Sequence, residues 1–112
     1  MKKIFNNLLN SLNGLKIGFK EHSFIIEIIG GVFLISYLII ADLEIILKIS
    51  IIMTYFILLA FELLNTAIEL LSDKITKDFD LDIKKIKDTS SAAVFVILLL
   101  LIILIILSFL IF

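Results

Sequence analysis

The chain has 112 residues, enough for one domain, and 62% of it is hydrophobic, well above the roughly 45–50% of soluble domains; such a composition needs lipid as its solvent. Ten lysines against eleven acids leave a net charge of -1, which offers no field to attract nucleic acid. Cysteine, arginine and proline are absent, so disulfides and thiolate metal sites are excluded and no helix must kink at a proline. The one histidine, His22, cannot build a zinc site alone.

Residues 1–22 open with two lysines and an Asn-rich stretch, without the apolar core of a signal peptide. Ile4, Phe5, Leu8, Leu12, Leu15 and Phe19 recur at helical spacing, which predicts an amphipathic helix lying in the membrane interface; a solvated, frayed N-terminus is the alternative. Residues 24–41 are interrupted only by Glu27, Gly30, Gly31 and Ser36 and predict a first transmembrane span. Glu21 and Glu27 bracket its start, and Gly30 and Gly31 would let another helix approach closely. A short charged connection follows, in which Glu44 and Lys48 stand at i and i+4 in the order that favours a helix ion pair. Residues 45–72 form the second predicted span, uncharged from Ile49 to Phe61. Residues 73–88 hold five lysines and five aspartates and read as a polar loop, although the helix that follows can begin earlier: Lys84, Lys87 and Ser91 share one helical face. Residues 89–112 form the third span; from Ala92 onward only Ser108 is polar, a stretch of about 32 Å as helix.

Lysine counts orient these spans. Four lysines precede the first span, one lies between the first two, five lie between the second and third, and none follows. Positive charge prefers the cytoplasmic side, which predicts a cytoplasmic N-terminus and 73–88 segment, with the C-terminus outside. Glu21, Glu69, Asp73 and Lys87 then meet at one interface.

The chemistry concentrates in the second span. Glu62, Asn65, Glu69 and Asp73 follow one another at steps of three, four and four, so on a helix they form a single stripe about 16 Å long. An ionisable residue at membrane depth is costly unless it faces a partner, water, an ion or a substrate. Carboxylates with lysines nearby suit Mg²⁺ bound to phosphate, since that cation is typically held by one or two carboxylates plus substrate oxygens. A carboxylate in apolar surroundings is a stronger base than one in water, which fits Glu62 as a general base towards a hydroxyl presented from the bilayer. Asn65, one turn on, could orient either partner. Taken singly, Glu69 and Asp73 also suit snorkelling or capping at a helix end, and Asp78, Asp80 and Asp82 suit a solvated loop. No Walker A sequence or kinase glycine loop is present; Gly14 and Gly18 are too few and too widely set.

Glu62-Leu63-Leu64-Asn65-Thr66-Ala67-Ile68-Glu69, then Asp73, then Lys87-Asp88-Thr89-Ser90-Ser91-Ala92-Ala93-Val94 resembles the small bacterial integral-membrane diacylglycerol kinase family, with undecaprenol kinases as a close branch. The resemblance runs from about Gly14 to Val94; the last span is similar only as a hydrophobic segment. It implies an all-α membrane protein of three transmembrane helices plus an N-terminal amphipathic interfacial helix, assembled as a homotrimer in the bacterial cytoplasmic membrane. It implies transfer of the ATP γ-phosphoryl to a lipid hydroxyl, with Mg²⁺. By the same resemblance Glu62 falls on the catalytic base and Asn65 on a catalytic-site asparagine. Glu21 and Glu69 fall on metal-binding glutamates that also touch the nucleotide. Asp73, Asp78, Phe79, Asp80, Lys87 and Asp88 fall on nucleotide contacts, while Ser91 and Asp42 fall on lipid contacts.

The chain departs from the family at its N-terminus. The family arginine that helps hold nucleotide has only Lys2 or Lys3 in its place, here assigned to Lys3, and lysine lacks the bidentate fork. An aromatic near Asn10 is missing, and Ile25 stands where an arginine is common. The pattern Glu21-x-x-Phe24-x-x-Glu27 is similar to the diacylglycerol branch, and undecaprenol remains the alternative lipid. A non-catalytic membrane oligomer would also explain three spans with small-residue packing, but it leaves Glu62, Asn65 and Glu69 unexplained.

Overall fold

A computed structural model describes residues 1–111, and among these every regular element is a helix. The helices are α1 (Lys2–Gly18), α2 (His22–Ile40), α3 (Ile45–Ile75) and α4 (Leu81–Ile111). The last three are each long and apolar enough to cross a membrane. Both α3 and α4 have 31 residues, about 46 Å of helix. This exceeds the ~30 Å hydrocarbon thickness, so part of each helix extends beyond it.

Short connections dictate antiparallel neighbours. The N–H groups of Phe19, Lys20 and Glu21 donate to the carbonyls of Leu15, Ile17 and Gly18 and close a tight corner between α1 and α2. Residues 41–44 join α2 to α3. There Glu44 is the N-cap of α3, and its carbonyl accepts the Lys48 N–H at 3.1 Å. The expected Glu44–Lys48 ion pair does not form: among the described residues the ion pairs are Lys84–Asp88 and Lys87–Asp73. Glu44 is exposed and Lys48 half-buried, and two long side chains near the surface gain little from pairing and lose rotamer freedom by it.

The polar stretch 73–88 is mostly helical rather than a loop. α3 runs on to Ile75, residues 76–80 make the turn, and α4 starts at Leu81. Asp80 sets that start: its Oδ1 accepts the N–H groups of Asp82 (2.9 Å) and Ile83 (3.1 Å), groups that would otherwise lack partners at the helix end. Charge does not oppose helix here, since Lys84 and Asp88 pair one turn apart at 2.6 Å. The helix of the third span, α4, therefore begins eight residues before 89. The final residue of the expected third span, Phe112, lies outside the described residues.

α3 is the central element, with α2, α4 and α1 all packed on it. Leu38 of α2, Ile51, Tyr55 and Leu58 of α3, and Leu101 of α4 form the buried core, with Ile51 fully enclosed. Only three side-chain hydrogen bonds cross between helices among the described residues. Tyr37 and Ser108 join α2 to α4 at 2.9 Å, Tyr55 joins α3 to α2, and Lys87 joins α4 to Asp73 of α3. Many other side chains of α2 and α4 are apolar and exposed, which suits contact with hydrocarbon.

Candidate active site

The stripe expected on α3 is present. Glu62 and Asn65 are buried, at 7% and 8% exposure, while Glu69 is half-buried and Asp73 exposed. Asn65 Nδ2 donates to Glu69 Oε1 at 2.8 Å, a length typical of a bond to a charged acceptor. The amide therefore fixes the Glu69 carboxylate. Asn65 Oδ1 is buried without a partner, an open oxygen beside a fixed carboxylate. At the end of the stripe Lys87 Nζ meets Asp73 Oδ1 at 2.6 Å, which brings the start of α4 to the stripe.

A further carboxyl completes the cluster. Glu27 of α2 lies beside the Glu62 carboxyl, and its Oε1 is buried without a hydrogen-bond partner. Tyr55 donates to the Glu27 carbonyl at 2.8 Å. Sequence reasoning placed Glu27 at the start of a span but gave it no role, because the contact joins two helices. The available signal was depth: Glu27 lies six residues inside Glu21, and Glu62 seven residues inside Glu69, so antiparallel spans place both at a similar level.

The remaining expected residues are more scattered. Glu21 is half-buried at the corner before α2 and is its N-cap. Asp78, Phe79 and Asp80 occupy the exposed turn, with Phe79 at 82% exposure. Asp80 already holds the α4 cap, and Asp88 pairs with Lys84. Lys3 and Ser91 are exposed on α1 and α4. Asp42 is at the other end of α3 and borders a separate hollow of about 520 Å³ with Leu43, Glu44 and Ser50.

Alongside the stripe, α1 and α3 enclose an apolar groove of about 480 Å³, lined by Ser11, Gly14, Gly18, Leu63, Thr66 and Leu70 among others. Gly18 makes the groove possible. A Cβ there would collide with Leu63 and touch Phe24. Gly18 thus serves close helix approach, not a phosphate loop, whereas a Cβ at Gly14 would meet open space.

Compared with known protein families, residues 9–109 match the family described as prokaryotic diacylglycerol kinase. The chain belongs to that family. No curated protein matches it closely enough to add to this. The family is one of membrane lipid kinases, and the three apolar helices agree with it. Among the described residues no three acidic, histidine or cysteine side chains form a metal-holding cluster. The donors still fit a hard cation that takes one or two carboxylates and completes its shell with phosphate and water: Glu69 is oriented, and Asn65 Oδ1 is free.

Proposed function

We propose that the protein is an ATP-dependent diacylglycerol kinase that converts diacylglycerol to phosphatidic acid. The observation that carries this reading is a buried glutamate at membrane depth, Glu62, on the same face as the bonded Asn65–Glu69 pair, in a chain of this family. The lipid hydroxyl gives its proton to the Glu62 carboxylate while its oxygen forms a bond to Pγ. The bond from Pγ to the bridging oxygen of ADP breaks, and ADP leaves. Positioning and charge do most of the work in such a transfer, so a small site suffices.

Glu21 and Glu69 would hold Mg²⁺, with Asn65 keeping Glu69 in place. Bound magnesium supplies positive charge against the phosphates. Lys87, aided by Lys3, offsets further phosphate charge, and Asp73 holds Lys87 until nucleotide takes that contact. Asp78, Phe79, Asp80 and Asp88 border the nucleotide from the turn and from α4. Ser91 and Asp42 contact the lipid, and the α1–α3 groove receives part of its hydrocarbon. We place the N-terminus and the 76–80 turn in the cytoplasm, α1 in the interface, and three copies in the active assembly.

The test is phosphorylation of diacylglycerol and undecaprenol, side by side, by the full chain in mixed micelles with Mg²⁺ and ATP. Phosphatidic acid as the dominant product is expected, in keeping with the Glu21-x-x-Phe24-x-x-Glu27 pattern. Undecaprenyl phosphate as the dominant product would overturn the choice of lipid. No product from either, in a folded sample, would overturn the kinase reading.

A further inference from the structure

Tyr55 is an aromatic residue in the middle of an apolar span, a position that usually means packing. Its surroundings show more. The ring is buried, and the hydroxyl donates to the Glu27 carbonyl at 2.8 Å. It reaches that carbonyl across Gly31, where a Cβ would overlap the Tyr55 hydroxyl and ring. A glycine on α2 therefore makes room for a hydroxyl from α3. Gly30, its neighbour, has no atom near its Cβ position, so of the two glycines Gly31 alone makes this approach. Among the described residues the bond is the only side-chain hydrogen bond between α2 and α3.

These two helices carry the two carboxyls that meet, Glu27 and Glu62. Tyr55 and Glu62 are seven residues apart on α3, two turns along one face. On one side of the tie is the carboxyl pair. On the other, a hollow of about 250 Å³ between α2, α3 and α4 is lined by Glu27, Gly30, Tyr55, Leu58 and Leu101 among others. Leu38 packs α2 on α3 further along, but beside this space the polar tie is what sets the distance between the two helices.

We propose that Tyr55, seated on Gly31, is a positioning residue for phosphoryl transfer: it holds α2 against α3 so that Glu27 stands on Glu62 and fixes the orientation of the base. This rests on the kinase reading, with Glu62 as the base. It predicts a defect confined to turnover, since neither Tyr55 nor Gly31 lies near the residues assigned to nucleotide.

The experiment compares Tyr55→Phe and Gly31→Ala with the parent chain in mixed micelles. Both should lower kcat about tenfold, within the ~10²-fold that a 1 Å misplacement can cost, and leave KM for Mg-ATP unchanged. A second arm needs no activity. The chain has no cysteine, so Glu27→Cys/Glu62→Cys can be bridged by a short bifunctional thiol reagent and the intrachain product followed by mass spectrometry. Adding Tyr55→Phe should slow bridging severalfold. Parental kcat in both single variants, or unchanged bridging in the triple variant, overturns the proposal. If the parent phosphorylates no lipid, the kinase reading fails, while the bridging rate still decides whether Tyr55 sets the spacing of the helices.

Discussion

Removing the Asn65 amide tests the centre of the site. In Asn65→Ala, Glu69 loses the donor that meets its Oε1 at 2.8 Å. A hydrogen bond to a charged group is worth about 1.5–3 kcal/mol. If that energy orients the metal-holding carboxylate, its loss appears as roughly 10- to 150-fold in kcat/KM. Asn65→Asp should do worse despite its matching shape. It sets two carboxylates where donor and acceptor stood, and unit charges at that separation repel by about 6 kcal/mol at an effective dielectric of about 20. This is an upper bound, because the half-buried Glu69 can swing away. The assay is lipid phosphorylation at saturating lipid, with Mg-ATP and free Mg²⁺ titrated separately and a thermal melt of each variant in the same micelles. Both variants should need more Mg²⁺, with Asp worse than Ala. A folded Asn65→Ala within twofold of the parent, or an Asp variant better than Ala, would refute the assignment.

Glu62→Gln should keep the melting profile and lower kcat by roughly 10²–10⁴-fold, the range for a lost general base, as measured by single-turnover phosphate transfer. Lys87→Met should raise KM for Mg-ATP while moving the melting temperature little. Its pair with Asp73 is more than a third exposed, and such pairs contribute at most about 1 kcal/mol. Lys84→Met, which breaks the more exposed pair with Asp88, should change neither quantity; a KM shift equal to that of Lys87→Met would show that net charge alone acts. Ser108→Ala removes a fully buried hydroxyl that meets Tyr37. It should cost about 0.6–1.7 kcal/mol of stability, the scale of hydrogen bonds between membrane helices, with KM for ATP unchanged in the same assay.

Periodicity carried much of this site. Steps of three, four and four placed Glu62, Asn65, Glu69 and Asp73 on one face, and the fold keeps them there because one unbroken helix holds all four. The three long apolar helices were legible from hydrophobic runs alone. Helix ends were less so. The charges of 73–88 suggested a loop, but lysine and aspartate at helical spacing are compatible with helix, and the Asp80 cap moved the start of α4 back to Leu81. Contacts between helices were not legible. Glu27 facing Glu62, Tyr55 over Gly31 and Gly18 under Leu63 depend on which faces meet, and a single strand of sequence does not encode that for helices apolar on every side.

α4 is such a helix. From Ala92 onward it is apolar around its whole circumference apart from Ser108, so hydrophobicity alone gives this part little preference for one rotation. Besides the packing around Leu101, it has a polar clasp near either end, Lys87 to Asp73 and Ser108 to Tyr37, 21 residues apart and thus about 32 Å along the axis. The separation is close to the ~30 Å of the hydrocarbon itself. The apolar part of α4 is a smooth axle held by two bearings, one toward each end. Freeing the Ser108 bearing would let the helix turn about its axis, and the lysine at the far bearing would turn with it.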